Sequence, residues 1–192
     1  MNKPLFLLIG RSASGKSTVA NLLGHIGDNP QVQSYTTRPK RHDNETGHIF
    51  VTDEEFDELE DIIAYTEYNG FRYCATKNQL DDASIYVVDI PGVETLLEKY
   101  NSSRPIVVIY FDASIRTRID RMIDRHDCDS AIISRIYNDA EFDWKQELSK
   151  LVWHHKNNLE RDVEMYIVDA DQSIDKVLGQ TMSYFNQNLE EK

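Results

Sequence analysis

The chain has 192 residues and a formal net charge of −12, from 21 Lys and Arg against 33 Asp and Glu. This length fits one domain, or one core that carries insertions, and it allows a substantial apolar core. The excess of negative charge argues against a nucleic-acid polymer or an anionic membrane as the partner. The two cysteines, Cys74 and Cys128, lie far apart in the sequence, and no apolar run approaches the length of a membrane span. We therefore expect a cytoplasmic protein with reduced thiols.

Four apolar runs predict buried strands, and the segments between them have helical spacing. The predicted strands are 5–9, 85–88, 106–111 and 165–168, and the predicted helices are about 15–26, 91–100, 115–125, 130–158 and 174–187. Strands that alternate with helices indicate a parallel sheet with right-handed crossovers. The predicted fold class is α/β, with a parallel sheet flanked by helices.

Two segments interrupt this alternation. Residues 34–78 are polar and contain short β-like pieces at 49–51 and 65–68, whereas residues 120–137 are dense in charge and contain no strand. We expect both at the carboxyl edge of the sheet, where open α/β folds bind ligands. The predicted organisation is therefore a core at 1–33 and 79–192, a small β-rich insertion at 34–78, and a helical lid at about 120–137.

The segment from Gly10 to Ser17 matches the G-x-x-x-x-G-K-[ST] pattern of a phosphate-binding P-loop. It lies between the first predicted strand and the first predicted helix, which argues against a chance match in an ordinary βα turn. Backbone N–H groups at a helix N-terminus bind phosphates, Lys16 would reach the β- and γ-phosphates, and Ser17 would help to hold Mg²⁺. The predicted ATP-binding residues are Gly10, Arg11, Ser12, Ala13, Ser14, Gly15, Lys16, Ser17 and Thr18.

Two clusters of positive charge are notable in a chain this acidic. The first contains Arg38, Lys40 and Arg41, and the second contains Arg116, Arg118, Arg121, Arg125 and Arg135. Taken alone, each is explained by a solvated loop or by a surface helix whose arginines pair with nearby aspartates. Beside a P-loop, the two clusters indicate phosphoryl transfer, which needs positive charge on the donor side and on the acceptor side of the transferred group.

The order of these motifs resembles the guanylate kinase family of nucleoside monophosphate kinases, from Leu5 to roughly Phe142, with a weaker similarity at 167–169. The most specific piece is S-Y-T-T-R-P-K-R at 34–41, followed by G-H-I-F-V-T-D-E-E-F at 47–56. G-F-R-Y at 70–73 is similar to the family's G-x-x-Y. V-D-I at 88–90 is similar to the family's strand that ends in an aspartate.

The resemblance implies a P-loop kinase core, an acceptor-binding insertion and a mobile lid. It implies that the acceptor is bound by Ser34, Arg38, Arg41, Tyr73 and Asp89, and that the metal is held by Ser17 and Asp89. It also implies that the residues acting in transfer are Lys16, Arg38 and the lid arginines Arg121, Arg125 and Arg135.

Several positions depart from the family pattern. Phe50 replaces a phosphate-binding tyrosine, and Pro91 replaces a second acidic residue. Ala64 stands in the place of the base-reading glutamate, and Ala75 stands in the place of a serine or threonine. The parts for phosphoryl transfer are thus retained, whereas the guanine-reading parts are not.

The expected function is Mg·ATP-dependent phosphorylation of a nucleoside monophosphate, GMP- or dGMP-like, to give the diphosphate and ADP. Mg²⁺ is the expected cofactor, and the expected partners are ATP and a small phosphorylated acceptor, in a monomer or homodimer. One alternative is a guanylate-kinase-like kinase of another acceptor, such as a ribose bisphosphate or a modified nucleotide. The other is a non-catalytic binding module, which such domains form when their P-loop is degraded; this chain keeps Gly15, Lys16 and Ser17.

Overall fold

The computed structural model of the chain describes residues 3–27, 29–40, 43–140, 143–159 and 161–190. In chain order the elements are β1 (Leu5–Ile9), α1 (Lys16–Ile26), β2 (Ser34–Thr36), β3 (His48–Phe50), α2 (Asp53–Asp57), β4 (Ile62–Tyr68), β5 (Phe71–Thr76), α3 (Lys77–Asp82), β6 (Ile85–Val87), α4 (Ile90–Lys99), β7 (Ile106–Asp112), α5 (Ile115–Asp124), α6 (Asp129–Ala140), α7 (Trp144–Asn158), β8 (Val163–Asp169) and α8 (Ile174–Glu190).

The main sheet contains the four strands that the sequence predicts. Its order is β6-β1-β7-β8, and every neighbouring pair is parallel. All five residues of β1 are buried, because helices cover both faces of the sheet. The predicted α/β class with a helix-flanked parallel sheet is confirmed.

Side chains of β1 alternate between two apolar clusters. Leu5 and Leu7 pack on the face that α4 and α7 cover, together with Leu96 of α4. Phe6 packs on the opposite face, where its ring stacks on Phe185 of α8 with the ring centroids 3.6 Å apart. The strand therefore anchors both layers of helices, and the loop that follows it begins from a fixed position.

The second, smaller sheet is formed entirely within residues 34–76, in the order β3-β2-β5-β4. β4 and β5 form a hairpin, and its turn residues Asn69 and Gly70 have φ angles of 51° and 76°. Asn-Gly is the favoured pair for such a turn because both residues tolerate positive φ. The hairpin packs on α4, where the Thr95 hydroxyl accepts from the Tyr65 N–H at 3.0 Å.

The sequence-based assignment is wrong in one long element. The helix predicted over 130–158 is two helices, α6 and α7. Asp143 lies outside helical structure, and its carboxylate accepts from the Gln146 N–H at 3.1 Å, which caps α7. The sequence also failed to predict β2, β5, α2 and α3, which are short and half-polar. Among the described residues no helix is both long and apolar enough to cross a membrane.

Candidate functional site

The P-loop connects β1 to α1 by a tight turn. Gly15, directly before α1, has a φ of 98°, a left-handed conformation that favours glycine. A Cβ on Gly10 would lie 2.8 Å from the carbonyl oxygen of Phe111 in β7, so only glycine fits at that point. Lys16 is the first residue of α1, and its Nζ donates to the carbonyl of Arg11 at 3.2 Å. The loop is thus formed as its motif requires, with its backbone at a helix N-terminus.

A cavity of about 530 Å³ opens on one side of the P-loop, and we call it the α5-side cavity. Arg121 of α5 and Arg125, which directly follows α5, also line it. Ile174 and Val177, in the first turn of α8, also line the cavity. The P-loop residues that line it are Ala13, Ser14, Gly15, Lys16, Ser17 and Thr18.

The arginines predicted for the lid are not equivalent. Arg121 donates to the carbonyl of Ser14 at 3.0 Å and to that of Ala170 at 2.8 Å, so it is attached to the P-loop itself. Arg125 and Arg135 both donate to the carboxylate of Asp127, at 2.6 Å and 2.8 Å. Arg125 lines the α5-side cavity, whereas Arg135 is not among its lining residues.

A second cavity, of about 260 Å³, lies on the other side of the loop, against the β4–β5 hairpin. We call it the hairpin-side cavity. Lys16 lines both cavities. The predicted acceptor-binding residues that line the hairpin-side cavity are Ser34, Arg38, Tyr73 and Asp89. The structure therefore brings them together with Lys16. Arg41 lies outside the described residues.

Arg38 already holds an anion in this structure. Its two terminal nitrogens donate to the two oxygens of Glu45, at 3.1 Å and 2.8 Å, in a bidentate pair. Arg38 is 9% exposed, and its buried Nε has no hydrogen-bond partner among the described residues. The Tyr73 hydroxyl also hydrogen-bonds with Arg38. This guanidinium is thus held in place at the cavity wall in a geometry that fits a carboxylate or a phosphate.

Ser34 lines the same cavity as Arg38, and Phe50 lies next to Arg38. The Ser34 hydroxyl and Nδ1 of His48 share a hydrogen bond of 2.9 Å. Phe50, in the place of the family's tyrosine, has the guanidinium of Arg38 5.3 Å from its ring centroid. A cation over an aromatic face is stabilising, so Phe50 supports Arg38 rather than contacting a ligand through a hydroxyl.

Burial and neighbouring charges shift two ionisable groups of the hairpin-side cavity. Burial lowers the pKa of Lys16 to about 8, although the carboxylates of Asp139 and Asp89 act in the opposite direction. Burial also raises the pKa of Asp89, partly offset by the Gly92 N–H and the Thr66 side chain. The Gly92 N–H lies 2.9 Å from Asp89 Oδ1, so this carboxylate caps α4. In both groups burial favours the neutral form.

A buried ion pair beside the P-loop was not predicted from the sequence. Arg118 and Asp139 are 2% and 4% exposed, and their side chains are hydrogen-bonded. Arg118 Nε donates to the carbonyl of Ser12 at 2.8 Å, and the Ser12 N–H donates to Asp139 at 3.1 Å. The pair therefore connects α5 and α6 to the loop. Arg118 belongs to the arginine cluster noted in the sequence, but nothing local indicates its partner on the next helix.

The two positions that the sequence resemblance assigns to base reading are apolar. Ala64 and Ala75 are partners across β4 and β5, and they are 1% and 0% exposed. Tyr86 of β6 packs in the same cluster and lines the hairpin-side cavity together with Ala64 and Trp144. Sequence reasoning assigned Tyr86 to a strand and Trp144 to a helix, and it found no signal for a ligand at either.

A comparison with solved structures supports this fold. No protein-family model matches the chain, and no curated protein matches it significantly. Among solved structures, the chain is similar to the crystal structure of guanylate kinase from Anaplasma phagocytophilum, with a TM-score of 0.54 and 16% sequence identity. The match covers 98% of this chain and 88% of that one. The chain therefore has a guanylate-kinase-like fold.

Proposed function

We propose that the protein transfers the γ-phosphoryl group of Mg·ATP to a small phosphorylated acceptor, a nucleoside monophosphate in the first instance. The observation that carries this proposal is the position of Lys16 between two cavities. Arg121 and Arg125 line one cavity, and Arg38 lines the other. Phosphoryl transfer requires such an arrangement, because cations must offset charge on both sides of the phosphorus.

On the donor side, the P-loop backbone would bind the triphosphate in the α5-side cavity. The N–H groups at the start of α1 point toward an anion, and the helix dipole favours negative charge there. Lys16 would neutralise charge that develops between the β- and γ-phosphates. Arg121, fixed to the Ser14 carbonyl, and Arg125 would contact the same phosphates.

The residues present fit a nucleotide-bound magnesium ion. Ser17 is exposed in the first turn of α1 and lines the α5-side cavity, while the Asp89 carboxylate lines the hairpin-side cavity. These are oxygen ligands, which Mg²⁺ prefers, and it needs only one or two of them from protein when phosphates supply others. The described residues contain no group of three or more His, Cys, Asp or Glu suited to a metal. Bound with ATP, Mg²⁺ would offset charge on the β- and γ-phosphates.

On the acceptor side, a phosphate would take the place that the Glu45 carboxylate has on Arg38. Both anions accept two parallel hydrogen bonds from a guanidinium. Ser34 and Tyr73 line the same cavity and would add hydroxyl contacts. Arg41, which lies outside the described residues, is proposed as a further cation from the sequence resemblance alone. A phosphate acceptor is itself an anionic nucleophile, so the transfer needs no strong general base.

We further propose that residues 34–78 are the acceptor-binding unit and that residues 120–137 act as a lid. Helix α6 contains the end of this lid and approaches the hairpin, since Asn138, the residue after the lid, donates to Asn69 of the hairpin turn at 3.3 Å. Closure of α6 over the cavities would exclude water and so limit hydrolysis of ATP. Arg135 would then move with α6 toward the transferred group.

The alternative acceptor, a ribose bisphosphate or a modified nucleotide, is favoured by the apolar side chains of Ala64 and Ala75. A site that lacks buried hydrogen-bond partners cannot discriminate strongly through them. A purely non-catalytic binding module is disfavoured by the complete P-loop.

An acceptor screen tests the proposal. ADP release from Mg·ATP is measured with nucleoside monophosphates, deoxynucleoside monophosphates and sugar bisphosphates, for wild type and for Lys16→Ala. We expect at least one acceptor to stimulate ADP release, and Lys16→Ala to abolish the stimulation while the circular dichroism spectrum is unchanged. ATP binding without stimulation by any acceptor would favour the binding module.

A further inference from the structure

Two arginines of α5 bind carbonyl oxygens of the P-loop. Arg118 Nε donates to the carbonyl of Ser12 at 2.8 Å. Arg121 donates to the carbonyls of Ala13 and Ser14, at 3.4 Å and 3.0 Å. Because the two arginines are three residues apart, they lie on the same face of the helix. Three successive carbonyls of the loop are therefore bound by one helix.

Ala13, in the middle of this loop, has a backbone conformation that is unfavourable for alanine. Its φ angle is 62°, in the left-handed region where the Cβ of a residue other than glycine is crowded. Such a conformation persists only where surrounding contacts fix it. Arg118 binds the carbonyl of the peptide before Ala13, and Arg121 binds the carbonyl of the peptide after it. The two arginines thus hold the peptide planes that define the φ angle of Ala13.

Asp139 fixes the other end of the same residue of the loop. Its carboxylate accepts from the Ser12 N–H at 3.1 Å and is paired with Arg118. Arg118 is buried, and the described lining residues of the hairpin-side and α5-side cavities do not include it. The Ser12 carbonyl is therefore directed at a buried cation. A carbonyl oxygen that faced a bound phosphate would repel it, because both carry negative charge.

We propose that Arg118 is a positioning residue for the triphosphate, and that it fixes the P-loop backbone in its phosphate-binding form before the nucleotide arrives. This inference rests on the proposed role of the P-loop as the ATP site. Arg118 acts through the Ser12 peptide, not by contact with the nucleotide. Binding is stronger when the loop is already ordered, because less conformational freedom is lost on association. An apolar pair in place of Arg118 and Asp139 would fill the space but would not hold the peptide.

The test removes the ion pair as a whole, so that no unpaired charge is left buried. Arg118→Met/Asp139→Leu deletes one positive and one negative charge, and the net charge beside Lys16 is unchanged. Isothermal titration calorimetry gives the Kd of a non-hydrolysable ATP analogue with Mg²⁺ for wild type and variants. Phe185→Ala is the matched control, because it removes core packing between α8 and β1 without touching the P-loop. Urea unfolding verifies that each variant is folded under the conditions of the titration.

Ala13→Gly separates positioning from a contribution to stability alone. Glycine adopts a positive φ without crowding, so a loop with glycine at this position needs less support from Arg118. Glycine should therefore compensate for loss of the pair when the pair acts through the backbone at Ala13. A pair that only stabilises the fold gives glycine no means of restoring nucleotide binding.

We expect Arg118→Met/Asp139→Leu to bind the ATP analogue about tenfold more weakly than wild type. Phe185→Ala should stay within about twofold of wild type. Adding Ala13→Gly to the double variant should tighten binding by at least about threefold, and the same substitution in wild type should have a smaller effect.

An unchanged Kd in the double variant, an equal loss in Phe185→Ala, or no gain from Ala13→Gly in the double variant would overturn the inference. Failure of the proposed function is distinguishable. Wild type that binds the analogue but releases no ADP with any acceptor would refute phosphoryl transfer and leave the positioning role intact. Retained transfer with an unchanged Kd in the double variant would refute the positioning role alone. Wild type that does not bind the analogue would overturn both.

Discussion

The pKa of Lys16 makes nucleotide binding depend on pH in a range where most lysines do not titrate. Burial lowers this pKa to about 8, from an ordinary value of 10.5. A triphosphate in the P-loop interacts favourably with the ammonium and not with the neutral amine. Binding of an ATP analogue should therefore weaken as the pH rises through about 8, with uptake of a proton on binding.

The size of the effect follows from the protonated fraction. With a pKa of about 8, roughly nine-tenths of the unliganded protein carries a charged Lys16 at pH 7, and roughly one-tenth does so at pH 9. The Kd should therefore rise by about tenfold across this range. Whereas the affinity for the ATP analogue falls as the pH rises, the stability of the unliganded protein should rise. Between about 8 and 10.5 the unfolded chain binds more protons than the folded one, so the free energy of unfolding increases with pH.

Calorimetry at several pH values, in buffers of different ionisation enthalpy, measures both the Kd and the protons taken up. Lys16→Arg is the matched control, because a guanidinium stays charged throughout this range. Its affinity should vary with pH much less than that of wild type. A wild-type Kd that is constant from pH 7 to 9, or an equal pH dependence in Lys16→Arg, would refute the role of Lys16.

The other predictions concern charge and packing. Arg38→Ala should lower kcat/KM for the acceptor by roughly a hundredfold, because the acceptor phosphate loses a buried charge-assisted pair. Arg116→Ala, on an exposed position of α5, is the control and should behave as wild type. Equal initial rates for the two variants would contradict the acceptor role of Arg38. Arg118→Met should destabilise the fold by about 3–5 kcal/mol in urea unfolding, since Asp139 is left buried and unpaired. The double variant Arg118→Met/Asp139→Leu should be more stable than Arg118→Met, and a single-variant loss below about 1 kcal/mol would argue against the pair. Phe185→Ala should lower the free energy of unfolding by about 3–5 kcal/mol, because the stack of Phe185 on Phe6 of β1 is lost. The Kd of the ATP analogue should be unchanged, and a changed Kd would contradict this by showing that the stack is coupled to the P-loop.

The core of this fold could be predicted from the sequence because its signals are local. An apolar run, a glycine-lysine motif and a helical face follow one another from Leu5 to Ile26, and each is readable within a few residues. The alternation of strands and helices then fixes a parallel sheet. The break after α6 was missed, because the sequence from 130 to 158 contains no glycine or proline, and the residue that caps α7 is an aspartate, which also occurs within helices.

The polar partners in the site could not be predicted, because they depend on tertiary contacts. Arg38 pairs with Glu45, seven residues further along in a polar segment, and Arg118 pairs with Asp139 on the following helix. Tyr86 appears in the sequence as part of an apolar strand. Only the pairing of β6 with β1 and the packing of the hairpin on α4 bring Tyr86 to the lining of the cavity that contains Arg38 and Lys16.

The central claim is that two anion sites meet at Lys16, one for the donor and one for the acceptor. A bisubstrate analogue, with adenosine and an acceptor nucleoside joined by a pentaphosphate chain, tests it most directly. The account predicts that the thymidine or guanosine form competes with both the ATP analogue and the nucleoside monophosphate. It also predicts tighter binding than either ligand alone, weakened by Lys16→Ala and by Arg38→Ala alike. Competition with only one of the two ligands, or binding that Arg38→Ala leaves unchanged, would contradict the account.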